Sequence, residues 1–354
     1  MSRSLILGIE TSCDETAASV MDAEGQVLSN VVFSQIAMHN KYGGIVPELA
    51  SRDHALKIGP VVEEAILKAG IKADDITHMG VASGPGLLGC LLVGLSFAKA
   101  FALSRDIPLV GVDHVRAHLL SVMIKGIHKD DATQKDKGFP AFPFAGLVVS
   151  GGHTSIYLVN SVDDIKMVAS TVDDAAGEVF DKVARFVGLE YPGGKIISEL
   201  AKLGDRTSVK FPKPIVKGRE HDFSFSGLKT SVINYFRAMG VKGNIDKNDK
   251  KTLDALAGFQ EVVCEILVDK LISAAENNCV KDVVIGGGVA SNYRLREMLL
   301  ERTANKGLTA WLVPLEYCTD NAAMISNYAR LVTKGSQGFT DLMSSVPAYS
   351  TTRR

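Results

Sequence analysis

The chain has 354 residues, a hydrophobic share of 46% and a formal net charge of −1: it is long enough for two lobes, and its charge excludes a protein that holds nucleic acid by its overall field. Its five scattered cysteines, Cys13, Cys90, Cys264, Cys279 and Cys318, form no C-x-x-C pair and point to reduced thiols, not a disulfide framework. Only Met-Ser-Arg-Ser precedes the first strand, so no signal or transit peptide is expected, and the chain is expected in the cytoplasm.

The first predicted element is a set of three strands over 5–31 (LILGIETSCDETAASVMDAEGQVLSNV), joined by a tight small-residue turn and an Asp-bearing turn. Asp14 and Glu15 sit in the first of these turns. A carboxylate there either shapes the turn, or sets a cation against phosphate, or accepts a proton. A Gly-rich loop over 39–47 leads to a helix over 48–69 with apolar residues at helical spacing. A strand over 79–82 then passes through Ser83-Gly84-Pro85-Gly86, a tight crossover or a phosphate-facing turn, into an apolar helix over 87–103. That helix carries Lys99 and is shorter than the roughly 20 apolar residues a membrane span requires, so a buried helix is expected.

A strand over 108–112 feeds the segment 113–124, which holds His114 and His118. Four apart on a helix, the two rings share a face, a geometry that suits Zn or Fe and equally an ordinary surface or core pair. Val115 stands where a zincin has its catalytic Glu, which disfavours a metalloprotease. Residues 125–138 (KGIHKDDATQKDKG) are polar and charged and form the expected linker between lobes.

The three-strand pattern returns over 147–171 (LVVSGGHTSIYLVNSVDDIKMVAST), with Ser150, Gly151 and Gly152 in the turn. Small residues let a backbone approach a phosphate closely, although one such turn alone is also ordinary hairpin chemistry. Its repetition suggests a duplicated nucleotide-binding fold. A helix over 173–188 follows, with Asp173 and Asp174 suited to its N-terminus. Asp181, on an otherwise apolar face of that helix, either meets ribose hydroxyls or pairs with Lys182 or Arg185. Pro192-Gly193-Gly194 breaks the chain before another helix.

Lys210, Lys213, Lys217 and Arg219 form an irregular basic run, either a solvated loop or a contact to an RNA backbone. Helices are expected over 253–277 and 293–303. Between them a buried strand enters the turn GGGVAS, after which Asn292 either caps the next helix or meets a base or ribose edge. The turn lacks G-x-G-x-x-G spacing and no acidic residue follows at about 20 residues, which sets dinucleotide dehydrogenases aside. Asp320, in a polar turn after an apolar stretch, is either a third metal donor or the cap of a closing helix that crosses back to the first lobe. The expected division is 1–124 with 321–354 as lobe I and 139–320 as lobe II.

Eight segments occur together and in order: GIETSCDETA, YGGIVPELASRDH, SGPGLLG, LVVSGGHT, DDAAGEVFDKVARFVGLEYPGG, DFSFSGLKT, GGGVASN and PLEYCTDNAAMI. Along nearly its whole length the chain resembles the bacterial-type tRNA threonylcarbamoyladenosine synthesis transferases, formerly labelled O-sialoglycoprotein endopeptidases. The resemblance implies an α/β, two-lobed fold of the actin, hexokinase and Hsp70 kind, with duplicated ribonuclease-H-like domains. It implies transfer of a threonylcarbamoyl group from threonylcarbamoyl-AMP to the exocyclic nitrogen of the adenosine next to the anticodon, in tRNAs reading codons that start with A, releasing AMP.

Carried over residue by residue, His114, His118 and Asp320 resemble the family's metal ligands, for one divalent iron or zinc. Val148, Val149, Ser150, Gly151, Gly152, Asp181, Gly194 and Asn292 resemble its contacts to the adenylate. The implied partners are tRNA and either a paralogous inactive subunit with a small P-loop ATPase or a second copy of the chain, with no membrane. One departure stands out. The family's His-x-Glu-Gly-His reads His114-Val115-Arg116-Ala117-His118 here, so both ligands are kept while Arg116 replaces an acidic neighbour and is expected to point away from the shared metal. A small-molecule kinase of the same fold needs neither histidine, and an ATP-driven scaffold or chaperone yields no tRNA product; these are the rival readings.

Overall fold

The structure, a computed structural model, describes residues 4–125, 138–335 and 346–350. The chain divides into two compact units, Met1–Phe139 with Val313–Arg354, and Pro140–Leu312. Most of the linker segment 125–138 lies outside the described residues. The segment 313–320, expected in the second lobe, belongs to the first unit.

The first unit opens with β1 (Leu5–Glu10), β2 (Glu15–Asp22) and β3 (Val27–Ser34), then α1 (Ile36–His39), α2 (Pro47–Lys68), β4 (His78–Gly84), α3 (Leu88–Arg105), β5 (Leu109–Asp113) and α4 (His114–Leu120). Its sheet has the order β3-β2-β1-β4-β5. β1 pairs antiparallel with β2, Leu7 opposite Val20, and parallel with β4, Leu7 opposite Met79. A central strand covered on both faces needs apolar residues at nearly every position, which is why LILGIE runs without alternation and is buried throughout. Leu5, Leu7 and Ile9 join Val61 and Val62 of α2 and Leu95 and Ala98 of α3 in one core cluster.

The second unit comprises β6 (Phe144–Val149), β7 (Thr154–Val159), β8 (Ile165–Ser170), α5 (Ala176–Phe186), α6 (Gly193–Ala201), α7 (Ser226–Ala238), α8 (Lys250–Asn277), β9 (Asp282–Gly286), α9 (Tyr293–Ala304) and β10 (Thr309–Leu312). Its sheet order, β10-β9-β6-β7-β8, repeats the scheme of the first: a meander of three antiparallel strands whose first member continues into two later strands paired in parallel. The duplication expected from the two hairpins is present. α10 (Leu315–Cys318) and α11 (Ala322–Gly335) then return to the first unit.

α11 lies hard against the first sheet. A Cβ on Gly8 would come 2.6 Å from the Ala322 carbonyl oxygen, and one on Gly80 would come 2.8 Å from Ala329 Cβ, so glycine is required at both positions of close approach. This seat also fixes Asp320, two residues ahead of α11.

Two expectations change. α5 begins at Ala176, so Asp173 and Asp174 lie ahead of its first turn; Asp173 accepts from the Ser224 and Ser226 hydroxyls and Asp174 from the Lys182 and Lys229 ammonium groups. α3, expected to be buried, buries one face only: Cys90, Leu91, Leu95, Ala98 and Ala102 point inward, while Leu88, Leu92 and Leu103 are exposed. Among the described residues it is the one helix long and apolar enough, by length and composition, to cross a membrane, and its inner face packs in the core of the first unit.

Candidate metal centre and substrate turns

α4 starts directly where β5 ends, and Asp113 caps it, Oδ1 accepting from the Arg116 N–H at 2.9 Å. The helical spacing puts His114 and His118 on one face, edge to face with ring centroids 4.7 Å apart. Asp320 Oδ1 lies 3.6 Å from His114 Nε2 and 3.1 Å from His118 Nε2. One donor atom from each residue falls within 4.8 Å of the other two. Asp320 does not cap the closing helix. Asn321 does, its Oδ1 accepting from the Met324 N–H at 3.1 Å, and the Asp320 carboxylate is turned to the histidines.

Behind the pair stands a residue that sequence motifs did not single out. Glu10, fully buried at the end of β1, places Oε2 2.8 Å from His114 Nδ1 and accepts from the Ser12 N–H through Oε1 at 2.5 Å. With Nδ1–H donated to a carboxylate, Nε2 is the nitrogen of His114 turned toward Asp320, the one a metal would take in exchange for its proton; this role of the two nitrogens is assigned from the hydrogen bonds. The sequence does carry a signal for it: a carboxylate in the buried strand LILGIE requires a partner.

The turn beside it is fixed from three directions. Ser12 O accepts from the Leu87 N–H, Cys13 O lies 3.0 Å from His54 Nε2, and Asp14 O accepts from the Gln35 N–H. Asp14 is buried, and Glu15 accepts from the Ser34 hydroxyl at 3.1 Å. Burial raises the Glu15 carboxyl, with Asp320 and Asp14 adding to the effect. Burial pulls the His114 ring toward neutrality, but Glu10 and Asp320 outweigh it and push its pKa up to about 9. Burial lowers that of His118. Glu10, Asp14, Glu15 and Asp320 thus crowd this small volume, and the rise at Glu15 and at the His114 ring is the response of both groups to that concentration of acidic side chains. Two imidazoles and one carboxylate within reach of a single point, among further acidic side chains, fit a divalent ion such as iron or zinc.

In the second unit, Val148, Val149 and the Ser150-Gly151-Gly152 turn lie at the C-terminal end of β6, and Asn292 follows the turn after β9, the ends where ligands bind in open α/β sheets, while Asp181 and Gly194 sit on α5 and α6. Val148 and Val149 are buried in the β6 ladder, so backbone groups are what they can offer a ligand. The turn after them is closed by the Ser150 N–H donating to His153 O at 2.8 Å. Gly151 and Gly152 are exposed, and a Cβ added at either would meet nothing within 4 Å. Gly287 holds φ +90 where a side chain would meet Val149 O at 2.5 Å, which brings the β9 turn against β6.

Asp181 turns its carboxylate to backbone: Oδ1 accepts from the N–H groups of Gly193 at 2.8 Å and Gly194 at 3.4 Å, tying α5 to the start of α6. Its neighbour Lys182 pairs instead with Asp174 and Glu178. Asn292 caps α9, Oδ1 accepting from the Arg294 and Leu295 N–H groups, while its Nδ2 donates to Gln260 Oε1 at 2.7 Å. In the basic run, Lys213 pairs with Glu265 and Asp269, and Arg219 with Asp222. Lys210 and Lys217 are exposed and form no ion pair among the described residues.

Residues 26–327 match the family TsaD: tRNA N6-adenosine threonylcarbamoyltransferase. The chain is 45% identical over 322 residues to the tRNA N6-adenosine threonylcarbamoyltransferase of Anaeromyxobacter dehalogenans (strain 2CP-1), covering 91% of this chain and 92% of that one. It is 46% identical over 326 residues to the protein of the same name from Clostridioides difficile (strain 630), covering 92% of each. Among solved structures, HypF of T. kodakarensis superposes with a TM-score of 0.59 at 14% identity, covering 94% of this chain and 48% of that one, a likeness of fold. The kinase and scaffold readings give way: the chain belongs to the TsaD family and is a tRNA N6-adenosine threonylcarbamoyltransferase.

Proposed function

We propose that His114, His118 and Asp320 hold one divalent metal, iron with zinc as the alternative, and that the donor of the group transferred to tRNA is threonylcarbamoyl-AMP. The acceptor is the exocyclic nitrogen of the adenosine next to the anticodon in tRNAs reading codons that start with A. The observation that carries the metal reading is the convergence of the three side chains with Glu10 fixing His114 from behind. When bound, the metal supplies electrostatic stabilisation of negative charge on carbonyl or phosphate oxygens.

The adenine nitrogen attacks the carbamoyl carbon and forms the new C–N bond. The bond from that carbon to the phosphate oxygen breaks, AMP leaves with the electron pair, and a carboxylate takes the proton from the nitrogen, either Asp14 or, once it has given up its own proton, Glu15. An exocyclic adenine amine is a weak nucleophile, so alignment has to supply much of the acceleration. The pinned turn carrying Asp14 and Glu15 suits that demand, because its backbone cannot drift.

In the second unit, the backbone of Val148 and Val149, the Ser150-Gly151-Gly152 turn, Asp181, Gly194 and Asn292 bind the adenylate. Gly151 tests this. A methyl group there meets no protein atom within 4 Å, so Gly151→Ala is expected to leave thermal stability unchanged. It would stand where a phosphate approaches the backbone, and the KM for the adenylate is expected to rise about tenfold. An unchanged KM would remove the turn from the substrate site.

For tRNA docking, Lys210 and Lys217 are the candidates, since Lys213 and Arg219 are occupied by carboxylates. The double variant Lys210→Glu with Lys217→Glu is expected to weaken tRNA binding and reduce the salt slope by about 2, one for each phosphate no longer neutralised. Unaltered affinity in a filter-binding titration would count against the loop. Exposed Leu56 and Leu67 of α2 and Leu88, Leu92 and Leu103 of α3 support an apolar docking face, for a paralogous subunit working with a small P-loop ATPase or for a second copy. The protein is proposed to act in the cytoplasm.

A further inference from the structure

The Asn292 side chain is held at both ends of its amide. Its Oδ1 is committed to α9, accepting from the Arg294 N–H at 3.0 Å and the Leu295 N–H at 3.2 Å, with the Cys264 thiol 3.9 Å away. These donors assign the amide, oxygen toward the helix and nitrogen away from it. Nδ2 carries two N–H groups. One donates to Gln260 Oε1 at 2.7 Å, and the other has no partner among the described residues.

Gln260 is 2% exposed on α8, among the buried apolar side chains of Leu256, Phe259 and Val263. An amide in such surroundings costs stability unless it is hydrogen-bonded, and Gln260 makes its short bond to Asn292. Its Nε2 reaches the Tyr293 hydroxyl at 3.4 Å. The next residue of α8, Glu261, takes the Arg294 guanidinium with both oxygens, at 2.7 and 2.9 Å. Two consecutive residues of α8 therefore grip the start of α9.

Anchored through Oδ1 and through one N–H, the amide plane is fixed, and the second N–H has a single direction. It is a donor, so the ligand group it selects is an acceptor. The Arg294 guanidinium close by is engaged by Glu261, Glu297 and Glu301 and is not available to a phosphate. The uncharged part of the adenylate suits this end of the sheet. Adenosine offers acceptors at the ring nitrogens N1, N3 and N7 and at the ribose oxygens, whereas its exocyclic amine donates.

We propose that Gln260 is a positioning residue for adenosine recognition, holding the Asn292 amide so that its remaining N–H donates to an acceptor atom of the adenosine moiety. The inference rests on the reading of Asn292 as a contact to the adenylate. Asn292 then caps α9 with its oxygen and reads the ligand with its nitrogen.

The test is calorimetric binding of AMP and five analogues to the full-length protein: 1-deaza-, 3-deaza- and 7-deaza-AMP, each lacking one ring acceptor, and 2′-deoxy- and 3′-deoxy-AMP, each lacking one ribose hydroxyl. Wild type is expected to bind one analogue about tenfold more weakly than AMP, the worth of one hydrogen bond; a deaza compound would place the acceptor on the base and a deoxy compound on the sugar. Asn292→Asp keeps a capping oxygen but has no N–H, and is expected to bind AMP and that analogue equally. Gln260→Met, similar in length but without an acceptor, is expected to weaken AMP binding by about three- to tenfold, to narrow the gap between AMP and the analogue, and to raise the KM for the adenylate with kcat unchanged. Gln260→Glu, whose carboxyl accepts in either protonation state, is expected to recover most of the loss. Leu271→Ala, a buried position about three turns further along α8, is expected to lower the melting temperature while leaving AMP affinity and the gap unchanged. Wild-type affinity and gap in Gln260→Met, or the same losses in Leu271→Ala, would overturn the positioning role alone. Equal binding of all six compounds by wild type, or a gap that persists in Asn292→Asp, would overturn the reading of Asn292 as an adenosine contact, and the role of Gln260 with it.

Discussion

His118→Ala is expected to abolish metal binding and to lower threonylcarbamoyl transfer by on the order of 10²–10³-fold, the usual cost of removing a main source of charge stabilisation from an active site. The fold is expected to survive. His118 Nδ1 is buried with no hydrogen-bond partner among the described residues, so truncation deletes an unsatisfied polar atom along with the ring. His114→Ala is the poorer choice, although it removes a ligand equally well. It strips Glu10 of its partner inside a fully buried strand, and breaking a buried ion pair from one side costs about 3–5 kcal/mol. Metal content by mass spectrometry, a melting curve and a nucleoside assay on His118→Ala separate chemistry from folding. Wild-type turnover in a His118→Ala protein free of metal would refute the role given to the triad.

Glu10→Gln is expected to weaken metal affinity by about 10–100-fold while leaving kcat close to wild type once metal is saturating. The amide has nearly the same shape, and its one carbonyl oxygen can still accept from His114 Nδ1–H and keep the ring's orientation, while the negative charge and the bond from the Ser12 N–H, which would then face the amide NH2, are lost. A chelator competition curve reads the affinity directly. If the curve matches wild type, Glu10 is a structural partner of His114 with no part in tuning the site.

The architecture was legible where it rests on local pattern. Apolar runs broken by small-residue turns announced both meanders, and their repetition announced the duplication that the two sheet orders show. The histidine pair was legible for the same reason, since helical spacing is a local property. What sequence left open was settled by long-range geometry. Asp320 and Asn321 are adjacent and both are good cap residues; in the folded chain Asn321 takes the cap and the Asp320 carboxylate faces His118 and His114.

Lys210 and Lys213 look alike in an irregular basic loop, and only the approach of Glu265 and Asp269 on α8 separates them. The apolar composition of α3 suggested burial on all sides, yet its leucines divide between a core face and an exposed face, which no average over the helix reveals. Tyr349 meets Asp113 across 236 positions of sequence, a pairing that leaves no periodic trace in either segment.

The most direct measurement is made on one preparation of the wild-type protein divided in two, one half stripped of metal and one half reloaded with ferrous iron under exclusion of oxygen. Each is incubated with tRNA, threonine, bicarbonate, ATP and an adenylate-forming enzyme, with and without the proposed paralogous subunit and P-loop ATPase, and the digested nucleosides are analysed by mass spectrometry. Threonylcarbamoyladenosine is expected from the reloaded half and little from the stripped half. Equal yields from the two halves, with metal confirmed absent from the stripped one, would contradict the metal's role.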